Sequence, residues 1–240
     1  MRNSIFFSLL VIATLFSSCK DDPGNLDLVF QANFGNDILE FDENYQMIDG
    51  TTINLTKSDM FLSDVRLIAD DGSEVLLHDI IQVDFSLSPG GVKFRTEDVP
   101  LQNYESLKFG IGVSEDINKT KPVDYEASNP LNNSGYYWVA WDSYIFTKTE
   151  GKIDDDGDGT PERGWIFHTG KDDLYTEGDV ILDYKIEEGE NEIRIILDHQ
   201  PLFVKDGQAV NLGITHDPTD LETLGSFLER MESSLIYKEQ

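Results

Sequence analysis

The chain has 240 residues, with 18 Lys plus Arg against 46 Asp plus Glu and a formal net charge of −28. That balance argues against nucleic acid as a partner, because there is no basic stripe to displace counterions from phosphate, and equally against direct contact with an anionic membrane surface. Aromatic residues make up 11% of the chain, which belongs to a folded body and not to a disordered one.

Residues 1–18 read as a lipoprotein signal peptide. Arg2 supplies a positive start, and Ile5 to Phe16 form an apolar run too short to span a bilayer. Ser17-Ser18 then precede Cys19, and small residues before a lone cysteine resemble a bacterial lipobox. That resemblance implies cleavage before Cys19 and lipidation of its sulfur and new amine; the alternative is a plain secretory signal with Cys19 unmodified. Cys19 is the single cysteine of the chain, so an intrachain disulfide, an iron–sulfur cluster and a cysteine-ligated zinc site are excluded. Residues 19–25 read as a lipidated tether. Lys20-Asp21-Asp22 within it resembles the export signal of outer-membrane lipoproteins of Bacteroidetes. The implied location is the outer membrane, with the body facing the periplasm or the cell surface and the lipid as its only membrane contact.

Residues 26–240 read as a single domain. Leu26, Leu28 and Phe30 alternate with Asp27 and Val29, the period of a half-buried strand. Met60–Ile68 and Glu74–Leu77 flank Asp70-Asp71-Gly72, which predicts a hairpin. Val83 to Leu87 alternates until Pro89-Gly90-Gly91 stops it. Leu107, Phe109, Ile111 and Val113 predict one greasy strand face, while Gly110 and Gly112 leave the other bare for a backbone or a ring to approach. An irregular segment follows from about Glu115 to Gly135, a length that favours a functional loop. Tyr137 to Thr147 predicts a strand, and Val180–Ile186 with Glu192–Leu197 predicts a second hairpin around Glu188-Gly189-Glu190-Asn191. One helix is expected, capped by Asp217 with Pro218 in its first turn and carrying Leu221, Leu224, Phe227, Leu228 and Met231 at helical spacing. The sum is an all-β chain: an antiparallel β-sandwich with one C-terminal helix.

An acidic loop stands out. Asp154, Asp156 and Asp158 alternate, Gly159 follows, and Thr160 and Glu162 complete the first half of a calcium-loop pattern. Carboxylates at positions one, three and five converge on one cation, glycine at six permits the turn, and the seventh carbonyl adds a ligand. Position twelve is Trp165, where an EF-hand has a bidentate Glu. The loop therefore predicts a weak structural calcium site; the competing reading is an acidic hairpin tip without an ion.

The four histidines, His78, His168, His199 and His216, have no local chelate spacing, so any histidine metal site is assembled by the fold. Leu107 to Val113, Asn129-Pro130-Leu131, Tyr137-Trp138 through Tyr144-Ile145-Phe146, Glu150-Gly151 and Phe167-His168-Thr169-Gly170 occur in that order. Together they resemble the MbnP-like family, copper-associated periplasmic or lipoprotein β-sandwich proteins, from about Leu26 to Tyr237. The resemblance implies copper held by histidine nitrogen, and a tryptophan oxidised to kynurenine by a di-haem peroxidase partner. His168 falls on the family histidine and His216 matches it more loosely. His78 and His199 read as surface or structural. Imidazole suits copper, and Met47, Met60 and Met231 are the only thioethers beyond the signal. Where the family has Trp-x-Trp, this chain has Trp138-Val139-Ala140-Trp141. Trp138 keeps the first place. On a strand, the one-residue displacement would turn Trp141 to the opposite face unless a bulge absorbs it.

A competing reading is a calcium-stabilised surface module that binds glycan or protein without copper, using Trp138, Trp141 and Trp165 as a stacking platform. An enzyme is not expected: no Gly-x-Ser-x-Gly elbow, His-Glu-x-x-His or phosphate loop occurs.

Overall fold

Period-two alternation sets the architecture. The computed structural model describes residues 23–215 and 217–239. The principal strands are β1 (Gly24–Phe34), β2 (Thr52–Ala69), β3 (Glu74–Asp84), β4 (Val92–Val99), β5 (Asn103–Ile111), β6 (Ser143–Ile153), β7 (Arg163–Gly170), β8 (Thr176–Lys185), β9 (Gly189–Asp198) and β10 (Leu235–Tyr237). Helix α1 (Leu221–Ser233) lies between the last two. The first sheet runs β10–β9–β1–β4, and the second runs β8–β5–β2–β6–β7 with β3 on the other edge of β2. Leu28, Phe30, Ile193 and Ile195 of the first sheet share one buried core with Leu62, Leu67, Leu107 and Phe167 of the second. This is an all-β sandwich with one C-terminal helix, as the alternation predicts.

Several local expectations change. The β2–β3 hairpin forms, with Ile68 opposite Glu74. The second expected hairpin does not: β8 pairs with β5 in one sheet, while β9 pairs with β1 and β10 in the other. Ile186, Glu187 and Glu188 therefore connect strands of different sheets. Two alternating segments around a turn look alike whether or not they share a sheet, because alternation reports a buried face and not a neighbour. The β1–β9 pair is also parallel, with Leu28 opposite Ile193 and Phe30 opposite Ile195, and Ile214–Thr215 joins β7 in parallel too. β1 begins at Gly24, two residues before the first predicted strand residue. Cys19 lies outside the described residues.

β5 ends at Ile111 and not at Val113. Gly112 has φ +104°, and a Cβ there would meet the Phe146 ring at 2.4 Å. A glycine is needed on both counts. The reversal takes Val113 out of the central core and into a second cluster with Phe61, Leu131, Tyr136, Tyr144 and Phe146. Gly110 likewise admits Tyr175, whose hydroxyl would sit 2.0 Å from a Cβ. Both bare positions thus face rings.

Asp220 caps α1 in place of Asp217, accepting the Thr223 N–H at 3.2 Å. Asp217 folds the turn before it, accepting from the Thr219 N–H and hydroxyl at 2.9 and 2.7 Å. Leu224, Phe227, Leu228 and Met231 are buried. The Phe227 ring stacks on Phe167 at 5.0 Å, so the helix closes the core side of β7.

Candidate functional site

Pairing between β2, β6 and β7 decides which side chains meet on the outer face of the second sheet. Asp59 lies opposite Lys148, which lies opposite His168; Lys57 lies opposite Glu150. Alternation sends Phe167 inward to the core and His168 outward. The His168 Nε2 lies 2.8 Å from a Glu150 carboxylate oxygen. That hydrogen bond holds the Glu150 carboxyl below the usual carboxylate range, against the opposing effect of burial. The Trp138 ring lies 6.4 Å from the imidazole, tilted 36° to it. Gly170 makes room for the indole: a Cβ there would stand 2.9 Å from Trp138 Cζ3 and 2.6 Å from the Tyr144 carbonyl.

Beside this pair sits a buried polar cluster that the strand patterns did not reveal. Asp59 is 1% exposed and accepts from Lys57 Nζ and the Tyr136 hydroxyl, both at 2.7 Å through Oδ2. Its Oδ1 has no partner among the described residues. Burial pushes the Asp59 carboxyl up, and the hydrogen bonds from Lys57 and Tyr136 oppose that only in part. Lys148 Nζ donates to the Gly135 carbonyl at 2.8 Å and stands 3.9 Å from the Tyr136 ring centre. The cluster ties the segment before Trp138 to the sheet. The available signal was Lys57-x-Asp59 directly before the apolar run Met60-Phe61-Leu62, where a buried charge requires a partner.

The long loop folds over the same face through short turns at Glu115–Asn118, Pro122–Asp124, Pro130–Asn132 and Ser134–Tyr136. Leu131 and Tyr136 seal it onto Phe61 and Phe146. Asn118 Oδ1 accepts the Tyr144 N–H at 2.8 Å, and the Asn132 amide donates to the Pro122 and Tyr125 carbonyls at 3.1 and 2.7 Å.

The expected strand from Tyr137 to Thr147 is a tight hairpin. Tyr137 pairs with Tyr144 and Trp138 with Ser143, leaving residues 139–142 as the turn. The Trp141 N–H donates to the Trp138 carbonyl at 3.1 Å, and Asp142 takes a left-handed φ of 53°. Trp141 is therefore a turn residue. Strand alternation does not apply to it, and the extra residue relative to Trp-x-Trp falls in the turn. Trp141 is 36% exposed, with Lys171 Nζ 5.9 Å from its ring centre. Trp165 is fully buried against Phe167 and Phe203, which removes it from any surface platform.

At the far end of β6, the acidic loop is held by its own backbone. Asp154 is buried, donates its N–H to the Thr52 carbonyl at 2.9 Å, and accepts the Gly157 and Gly159 N–H groups at 2.7 Å each. Burial works to raise its pKa, but the amides of Gly159, Gly157 and Asp158 outweigh it and hold the carboxyl low. Asp156 accepts the Asp158 N–H at 3.1 Å, and Asp158 accepts the Thr160 N–H at 2.8 Å. Oxygens of Asp154, Asp156 and Glu162 all lie within 4.8 Å of one another, a spacing that could hold a cation. Asp158 and Thr160 are outside that group.

Of the other histidines, His199 is fully buried and His78 is half-buried, 3.3 Å from the Thr96 hydroxyl. His216 lies outside the described residues; Thr215 before it pairs with Phe167, the residue before His168.

No curated protein sequence matches the chain. Among solved structures, MbnP from Methylosinus trichosporium aligns with a TM-score of 0.54, covering 83% of this chain and 86% of that one at 13% identity. At that identity the likeness speaks for the sandwich fold. A family model described as MbnP matches residues 23–221, well over half the sequence. The chain belongs to the MbnP family.

Proposed function

We propose that this protein is an exported copper-binding lipoprotein, anchored through Cys19, whose metal site is centred on His168. The observation that carries this reading is the imidazole of His168 set beside the indole of Trp138 on the outer face of the sheet. Imidazole nitrogen is a ligand that copper favours, and a ring held on a rigid strand gives it a defined direction. His216 is the second candidate ligand, supported by the pairing of Thr215 beside Phe167. Of the two tryptophans on the hairpin, Trp138 neighbours the imidazole and Trp141 stands on the turn, so Trp138 is assigned as the residue a di-haem peroxidase partner would modify. The protein's role in this reading is to bind and hand over metal; no catalytic residue is assigned.

Titration of the metal-free protein with copper tests the assignment. One tight equivalent is expected above the weak background of surface carboxylates, and His168→Ala should abolish it. Equal binding by the variant, or background binding alone by the wild type, rejects the copper reading.

A structural calcium ion at the acidic loop belongs to the same proposal. The support is the approach of Asp154, Asp156 and Glu162 oxygens within 4.8 Å. Oxygen ligands suit calcium, and an exported module of this kind binds it weakly, at Kd ~10⁻⁴–10⁻³ M.

A further inference from the structure

We infer that Glu150 is the positioning residue of the His168 imidazole: it selects the tautomer with the proton on Nε2 and thereby makes Nδ1 the ligating atom. The choice of a metal ligand rests on the copper reading above; the choice of tautomer does not. The two side chains come from neighbouring strands, with Glu150 opposite Ile166 and His168 opposite Lys148. Their 2.8 Å contact joins Nε2 to a carboxylate oxygen. An ionised carboxylate only accepts, so the nitrogen facing it must donate. Lys57 faces Glu150 across the β2–β6 pairing and Lys148 lies two residues before it on the same strand, so the carboxylate stands among cationic side chains and is the accepting partner. The proton is therefore on Nε2 in the neutral ring, and the lone pair is on Nδ1.

The ring is also held against turning over. Trp138 occupies one side of it at 6.4 Å, and Gly170 lets the indole approach that closely. The His168 side chain is only 13% exposed. A half-turn about the Cβ–Cγ bond would carry Nε2 away from Glu150 and lose the hydrogen bond. Carboxylate partners of this kind fix the orientation of ligating imidazoles, and their removal weakens metal affinity by about 10–100-fold.

Two measurements on the full chain test this. Long-range ¹⁵N–¹H NMR of the metal-free protein, at mildly alkaline pH, reads the tautomer of each histidine directly. For His168 the Nε2–H form is expected in the wild type. Glu150→Gln keeps the shape but presents an amide that can accept or donate, so a mixture of tautomers is expected there. Copper titration of the same variant should show about a tenfold or larger loss of affinity, with an unchanged melting midpoint confirming the fold. An Nδ1–H tautomer in the wild type overturns the inference, as does an unshifted tautomer in Glu150→Gln. Unchanged affinity in that variant, with His168→Ala still abolishing binding, overturns it too. If the wild type binds no copper, the copper reading falls and the NMR result alone decides the role of Glu150.

Discussion

His199 joins the two sheets without touching solvent. Its Nε2 lies 2.8 Å from the Ser58 hydroxyl on β2, and its Nδ1 lies 3.1 and 3.2 Å from the carbonyls of Asn33 and Leu197. The carbonyls require the proton on Nδ1, so Nε2 accepts from Ser58. Burial drives the pKa down to about 4, against the two carbonyls, which favour the charged ring. In the unfolded chain it titrates near 6.5. Between those values the unfolded state takes up a proton that the folded state refuses, so stability is lost as pH falls from 6.5 towards 4. The loss at the acid end is about 3 kcal/mol from this one group. Urea midpoints at neutral pH and near pH 4.5 check it: His199→Gln should lose less stability on acidification than the wild type, and an equal loss would reject the assignment. The sequence reading of His199 as surface or structural was sound in its structural half, but its partner Ser58 is 141 residues distant and no local spacing could reveal it. The same holds for Glu150, Lys148 and Asp59. Each lies just beyond the end of a predicted strand, Asp59 before Met60 and Lys148 and Glu150 after Thr147, and only the register across β2, β6 and β7 sets them on one face with His168.

Elements were more legible than their neighbours. Alternation located the strands around Leu28, Leu62, Leu107 and Ile193, and the spacing of Leu224 to Met231 located the helix. What it missed were reversals inside apparently continuous runs: the turn at residues 139–142 and the left-handed Gly112. Val139, Ala140 and Trp141 in that turn carry no glycine or proline signal; Asp142 supplies the positive φ. The acidic loop was legible as a motif. Its structure brings together oxygens of Asp154, Asp156 and Glu162 and leaves Asp158 and Thr160 outside that group. Calcium at about 5 mM, acting on a site with Kd ~1 mM, should add about 1 kcal/mol of stability. For a chain of this size that raises the melting midpoint by about 2–4 °C. Asp156→Asn is the informative variant, because Asp156 is exposed while Asp154 also secures two backbone amides. The shift should vanish in it. No shift with the wild type, or the same shift with the variant, rules out the site.

Over the whole molecule, composition and fold class agreed with the structure, whereas sheet membership did not follow from the sequence. β8 and β9 flank a turn yet belong to opposite layers, because β9 finds its partner in β1 near the other end of the chain. The formal charge of −28 acts at this scale as well. Clusters such as Asp154–Glu162 place like charges side by side, and a compact state holds them closer than an unfolded one. Raising NaCl from roughly 0.02 to 0.2 M, which shortens the screening length from about 20 to 7 Å, should therefore raise the melting midpoint without added calcium. A midpoint that falls with salt would show that the surface pairs, such as Lys93 with Asp27, outweigh the repulsion.

The parallel pairing of β1 with β9 has a consequence in time. β1 is the first strand among the described residues, and it lies between β4 and β9, so both of its edges are taken by segments that come later. Leu28 meets Ile193 only after the intervening 164 residues are present. A chain threaded out of a cell or a ribosome N-terminus first therefore emerges with its central strand unmatched, and the first sheet closes only when almost all of the sequence has followed. Long-range pairing of this kind is slow to form and leaves apolar edges open meanwhile. For this fold, the earliest of the described strands to emerge is among the last to find its place.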